Sequence, residues 1–143
     1  MSTKGKYGLK AVVDLAINYA DGQISIKSIA QRQGISENYL EQLFASLKKS
    51  GIVKSVRGAQ GGYMLSKPAE RITVGDVLRS LEGALCPAEC IDLDFPTECE
   101  KVDTCATAPV WVKLRDKINE VVDSITIDDL VKDYELKNKN VST

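Results

Sequence analysis

The chain has 143 residues, 43% of them hydrophobic, a formal net charge of −1, four cysteines and no histidine. That length fits one domain, or one small domain with an appendage, and the apolar fraction supports an ordinary core without disulfide staples. No opening run joins positive charge to a long apolar stretch, and nothing approaches the ~18 apolar residues of a membrane span, so the expectation is a soluble, cytoplasmic protein without a signal peptide.

The first helix is expected over Lys6–Ala20, where Leu9, Val12, Val13, Ala16, Ile17 and Ala20 repeat at three and four residues. Asp21-Gly22 ends it. A short helix follows Ser25, with Ile26, Ile29 and Ala30 turned inward, and Gly34 closes it. Ser36 is a good N-cap for a third helix, and Glu37 suits the positive end of its dipole. Leu40, Leu43, Phe44 and Leu47 form the core face of that helix, and Gly51 is the expected C′ residue.

Ile52–Val56 and Tyr63–Leu65 are β-prone runs flanking a Gly-rich turn, which predicts a hairpin. Thr73 with Asp76 three residues on resembles a capping box and opens a helix carrying Val74, Val77, Leu78 and Leu81, ended by Gly83. Beyond the cysteines, Pro109 suits a first helical turn. Val110, Leu114, Ile118, Val121, Val122 and Ile125 then mark a long amphipathic helix. A short helix around Asp128–Leu136 and a flexible polar tail, 137–143, finish the chain.

Charge divides along this order. Residues 1–67 hold ten Lys/Arg against four Asp/Glu, whereas residues 68–143 hold nine against sixteen. A basic half facing a polyanion, with an acidic half held away from it, accounts for the asymmetry. Helix, helix, tight turn, helix and Gly-rich hairpin is the order of a winged helix-turn-helix. The fold class expected is therefore mainly α with a small β-hairpin wing and a long C-terminal helix. The outward face of the third helix offers Ser36, Asn38, Tyr39 and Gln42, with Lys48 and Lys49 at its end, residues able to read base edges and pair with phosphates. Arg57, Gly58, Gln60 and Gly61 form the hairpin tip. Glu41 sits oddly on this face, because a carboxylate repels phosphate unless it accepts from a cytosine amino group or a lysine.

Cys86, Cys90, Cys99 and Cys105 fall within one acidic stretch that also holds Glu89, Asp92, Asp94, Glu98, Glu100 and Asp103 against a single Lys101. Clustered thiols in such a protein point to a metal or to redox sensing, and the missing histidines remove mixed Cys/His sites. Zinc accepts four thiolates, but only Cys86 and Cys90 approach knuckle spacing. Thiols without a metal are the third reading. No C-x-x-C motif, histidine base or phosphate-cradling loop supports an enzyme.

Three segments, Lys4–Leu9, Ile35–Leu43 and Ser55–Tyr63, together with Val74–Val77 and Ser124–Leu130, resemble the IscR/NsrR/CymR family of bacterial transcription regulators, nearest its Gram-positive IscR branch. The resemblance implies a homodimer built on the long helix, two winged helices on a double-stranded palindromic operator, and an iron–sulfur cluster, 2Fe–2S or 4Fe–4S. It matches Cys90, Cys99 and Cys105 to three cluster ligands. The family's histidine, three residues after the last cysteine, is Ala108 here, and an N-terminal aspartate used by some relatives falls in Gly5-Lys6-Tyr7. Cys86 is the local candidate for the fourth ligand, since four thiolates complete either cluster type; Glu89, Glu98, Glu100, an exogenous ligand or an open position are the alternatives. The function implied is a repressor, not an enzyme, whose operator binding follows cluster state and which controls cluster-biogenesis genes. The alternative is a cluster-free thiol or cysteine-metabolism regulator of the CymR type. By residue, the division expected is 1–67 for DNA binding, 68–85 a connecting helix, 86–106 the cysteine loop, 107–136 the dimerisation helix with a short terminal helix, and 137–143 a flexible tail.

Overall fold

Apolar residues at helical spacing dominate the chain, and the computed structural model is accordingly mostly helical; it describes residues 3–18, 22–58, 61–86 and 106–141. The order is α1 (Thr3–Ile17), α2 (Ile26–Gln33), α3 (Glu37–Lys49), β1 (Val53–Val56), β2 (Gly62–Leu65), α4 (Val74–Glu82), α5 (Ala108–Asp123) and α6 (Ile127–Val141), with a 3₁₀ turn at Ala69–Arg71. β1 and β2 pair antiparallel, Val53 opposite Leu65 and Val56 opposite Gly62. Ile24 and Tyr63 exchange backbone hydrogen bonds of 2.8 Å, so the segment before α2 adds a short third rung. Among the described residues, no helix is long and apolar enough to cross a membrane.

One core gathers Val12 and Leu15 from α1, Ile29 from α2, and Leu40, Phe44 and Leu47 from α3. The same core takes in Ile72, Val77 of α4 and Ile127 of α6, so packing runs straight across the division expected after Lys67. Each such side chain, taken fully out of water, stabilises the fold by roughly 1.5–3 kcal/mol. Phe44 stacks on Tyr63 at 4.7 Å between ring centroids, which fastens α3 to the wing.

Several boundaries differ from the sequence expectation. α1 starts at Thr3 and ends at Ile17, where the Asn18 amide donates to the Asp14 carbonyl and carboxylate. Its buried apolar side chains are Ala11, Val12 and Leu15, while Val13 and Ile17 are half-buried, and the helix packs against several elements instead of one. The tail expected to be flexible from residue 137 is helical through Val141. Lys132 pairs with Asp128 and Lys137 with Asp133 at i,i+4 spacing, and these pairs extend the last helix along its exposed face.

Two helix starts are built alike and held side by side. Thr73 and Asp76 form the predicted capping box, each side chain bonded to the other's backbone N–H at 3.0 Å. Thr126 and Asp129 repeat it at the head of α6, at 2.9 and 3.0 Å. The N–H of Val74 donates to the Ile125 carbonyl and that of Ile127 to the Ile72 carbonyl, both at 2.8 Å, so the two caps form one antiparallel bridge.

The buried polar anchor is Asp14, 3% exposed. Arg32 donates to both of its oxygens, at 3.0 and 2.6 Å, and Gln33 adds a bond of 3.0 Å, locking the end of α2 to α1. A buried carboxylate is tolerated only when so satisfied. Asp14→Ala is expected to destabilise the protein by about 2 kcal/mol, the scale of charged hydrogen bonds, with Arg32→Ala milder because that side chain is partly solvated. Urea unfolding midpoints check this; an Asp14→Ala protein as stable as the parent contradicts the anchor.

Candidate nucleic-acid interface and cysteine segment

The turn between α2 and α3 sets the recognition face. Gly34 adopts φ +66°, a left-handed conformation that L side chains rarely take, and its N–H and that of Ile35 both donate to the Ala30 carbonyl. Ser36 then caps α3, accepting from the Tyr39 N–H at 3.2 Å. With Leu40, Leu43, Phe44 and Leu47 pinned inward, the opposite face is presented to solvent. Asn38, Glu41, Gln42, Lys48 and Lys49 are exposed on it, and Ser36 is exposed at its head.

Tyr39 is half-buried instead. Its ring meets Tyr7 edge-on at 6.1 Å, and its hydroxyl lies 3.4 Å from the Thr3 hydroxyl. Lys6 and Lys10 sit over the Tyr7 ring at 5.9 and 5.6 Å. The start of α1 therefore adds two cations beside the start of α3, residues that the sequence reading of the DNA face omits. The available signal was the Lys4, Lys6, Lys10 spacing in the basic half.

The wing is aimed by close backbone packing. A Cβ on Gly62 would strike the Ile24 carbonyl, so only glycine lets β2 pair with that segment. Gly61 donates to the Gly58 carbonyl at 3.0 Å, closing the tip, and Arg57 and Gly58 are exposed there. Gln60 lies outside the described residues. Glu41 lines the hollow between α3 and the wing, with Ile26, Ser55, Val56, Gly61, Gly62 and Tyr63 around it. No salt bridge to Glu41 occurs among the described residues.

Of the four cysteines, Cys86 lies among the described residues, half-buried just after the buried Leu85; Cys90, Cys99 and Cys105 lie outside them, as do Glu89, Glu98 and Glu100. Among the described residues no group of three or more Cys, Asp or Glu is placed to hold a metal. Ala108, at the position of the family's histidine, is 7% exposed at the head of α5 and offers no donor atom. Pro109 stands in the first turn as expected.

The root of this segment is bonded into the helices. Asn119 of α5 donates through Nδ2 to the Leu85 carbonyl at 3.0 Å and to the Arg115 carbonyl at 2.7 Å. Its Oδ1 accepts from Arg79 of α4 at 2.6 Å, and Arg79 also forks onto Asp123 at 2.8 and 2.7 Å. The hydrogen bonds from Arg79 hold the Asp123 carboxyl below the usual aspartate range. Its contribution to stability is present above the ordinary aspartate pKa and lost as pH falls through the lowered value.

The geometry is that of a winged helix with a thiol-bearing segment joining α4 to α5, and known proteins share it. The chain is 44% identical over 130 residues to the HTH-type transcriptional regulator CymR of Bacillus subtilis, covering 91% of this chain and 88% of that protein. It is 38% identical over 138 residues to the HTH-type transcriptional regulator IscR of Pectobacterium atrosepticum, covering 96% and 82%. Among solved structures, CymR of B. subtilis superposes with a TM-score of 0.77 at 44% identity over 92% of this chain and 95% of that one. T. potens IscR does so with a TM-score of 0.76 at 50% identity, over 94% and 87%. Residues 1–133 match the Rrf2 family, described as iron-dependent transcriptional regulators, and the chain belongs to that family of DNA-binding winged-helix regulators and is not an enzyme.

Proposed function

We propose that the chain is a homodimeric, cytoplasmic repressor whose grip on a double-stranded operator follows the state of its cysteine segment, and that this segment holds an iron–sulfur cluster and controls cluster-biogenesis genes. The observation that carries the reading is the joint placement of an exposed polar recognition face and a thiol segment rooted in the helix that would form the dimer. α3 would enter the major groove, with Asn38 and Gln42 reaching base edges and Lys48 and Lys49 the phosphates. Arg57 at the wing tip would enter the adjacent groove, and Lys6 and Lys10 would hold the flanking backbone.

Dimerisation is supported by α5. Val110, Leu114 and Val121 repeat along one face and are 51%, 43% and 55% exposed, with Trp111 beside them. An apolar row this exposed on an amphipathic helix calls for a partner, and a second copy is the simplest. Two α5 helices packed together would fix the separation of the two recognition helices.

The donor chemistry fits a cluster: thiolates are the ordinary ligands of iron–sulfur centres. Cys90, Cys99 and Cys105 would hold it, and Cys86, already positioned at the segment's root, is the fourth candidate. Bound there, a cluster would supply sensitivity to iron supply and oxidants. Similarity to CymR at 44% identity supports a second reading, in which the same thiols respond without a metal and the genes concern cysteine metabolism.

The first of two experiments separates these readings and the second tests DNA binding. Protein purified anaerobically is expected to be coloured and to contain iron and sulfide; a colourless protein with zinc contradicts the cluster, and one with no metal after reconstitution with iron and sulfide points to the metal-free alternative. Affinity for its own promoter region should fall steeply with salt, because several Lys/Arg displace counterions. Arg57→Ala should lower that affinity roughly tenfold, within the 1–3 kcal/mol of a groove contact, and binding equal to the parent's would remove the wing from the interface.

A further inference from the structure

The cysteine segment needs a route to the DNA-reading surface, and one side chain occupies the crossing point. Asn119 spends its amide on the Leu85 carbonyl, one residue before Cys86, and its carbonyl on Arg79 of α4. α4 is in turn fastened to the recognition helix, since Ser80 donates to the Ser46 carbonyl of α3 at 3.2 Å. We propose that Asn119 is the positioning residue that couples the cysteine segment to α4, and through α4 to the recognition helix. The proposal rests on the reading of the segment as a sensor.

The physical case is that every member of the chain is held by directional bonds. Arg79 is oriented by the Asp123 carboxylate, and the same Nη2 that donates to Asp123 also donates to the Asn119 Oδ1, so the fork fixes the direction of that bond. The Asn119 amide is shared between the Leu85 carbonyl and the Arg115 carbonyl of its own helix, so it cannot follow Leu85 without leaving that helix bond. When Cys86 and its neighbours change partners, Leu85 shifts, and Asn119 either releases it or turns. Turning breaks the bond to Arg79 and loosens α5 on α4. A network with two such arrangements can be biased from either end, as coupling requires.

Neither apolar packing nor the surface ion pair supplies this link. Leu85, Val122, Val74 and Leu78 share a small apolar core whose contacts carry no direction, and Arg79 with Asp123 joins α4 to α5 without touching the segment. Asn119, a member of α5, is hydrogen-bonded to both the segment's root and α4.

The test compares the full-length parent with Asn119→Leu and with Asn119→Asp, which keeps an acceptor for Arg79 and loses the amide donor. Operator affinity is measured for each in three states: reduced apo protein, protein reconstituted anaerobically with iron and sulfide, and diamide-oxidised protein. In the parent, at least one pair of states should differ by about tenfold, within the ordinary 5–150-fold range of coupled sites. In both variants that ratio should fall to within about twofold of one, while the affinity of the tighter state stays near the parent's. A role confined to stability would move the unfolding midpoint and leave the ratio intact. Should Asn119→Leu fail to fold, the aspartate protein decides. A variant ratio equal to the parent's overturns the coupling and leaves the sensor reading standing, whereas a parent with equal affinities in all three states overturns both.

Discussion

α1, α3, α5 and the head of α6 are all bonded to α4, a helix of nine residues that could not hold its shape alone. An isolated helix of that length is marginal in water, so α4 exists by virtue of what grips it. Its Leu81 fills the space left by Gly8 of α1, and Glu82 accepts from the Gly5 N–H. Ser80 ties it to α3, Arg79 to α5, and the capping box at Thr73 to the head of α6. The recognition helix and the root of the cysteine segment thus share one support.

The proposed DNA-reading surface follows from the same economy of support. α3 keeps four apolar side chains in the core, which frees its other face for Asn38, Gln42 and the terminal lysines. The wing is held to that helix by Phe44 against Tyr63 and to the segment before α2 by paired backbone bonds. Glu41 lines the hollow between that helix and the wing.

Local chemistry was readable from the sequence, and distant pairing was not. Ser36, Gly34, Thr73 with Asp76, and Pro109 each act on backbone within a few residues, so their roles followed from spacing alone. Asp14 with Arg32 and Arg79 with Asp123 are 18 and 44 residues apart, and nothing in either neighbourhood marks the partner. Asn119 looked like an ordinary polar residue on an amphipathic helix for the same reason. The second capping box, at Thr126 and Asp129, is written locally as well, and the Lys137–Asp133 pair carries α6 into a Lys- and Asn-rich ending that resembles a tail. Of the proposed ligands, Cys86 lies among the described residues, so the cysteine set rests on the sequence and its family resemblance.

The central claim is that the cysteine segment and the recognition helix are mechanically one unit through α4. Amide hydrogen exchange on the full-length protein, reduced apo against iron- and sulfide-reconstituted, tests it most directly. The account predicts that protection changes not only within residues 87–105 but also along Val74–Glu82 and into Glu37–Lys49. A change confined to residues 87–105, with α4 and α3 exchanging identically in both states, would contradict it.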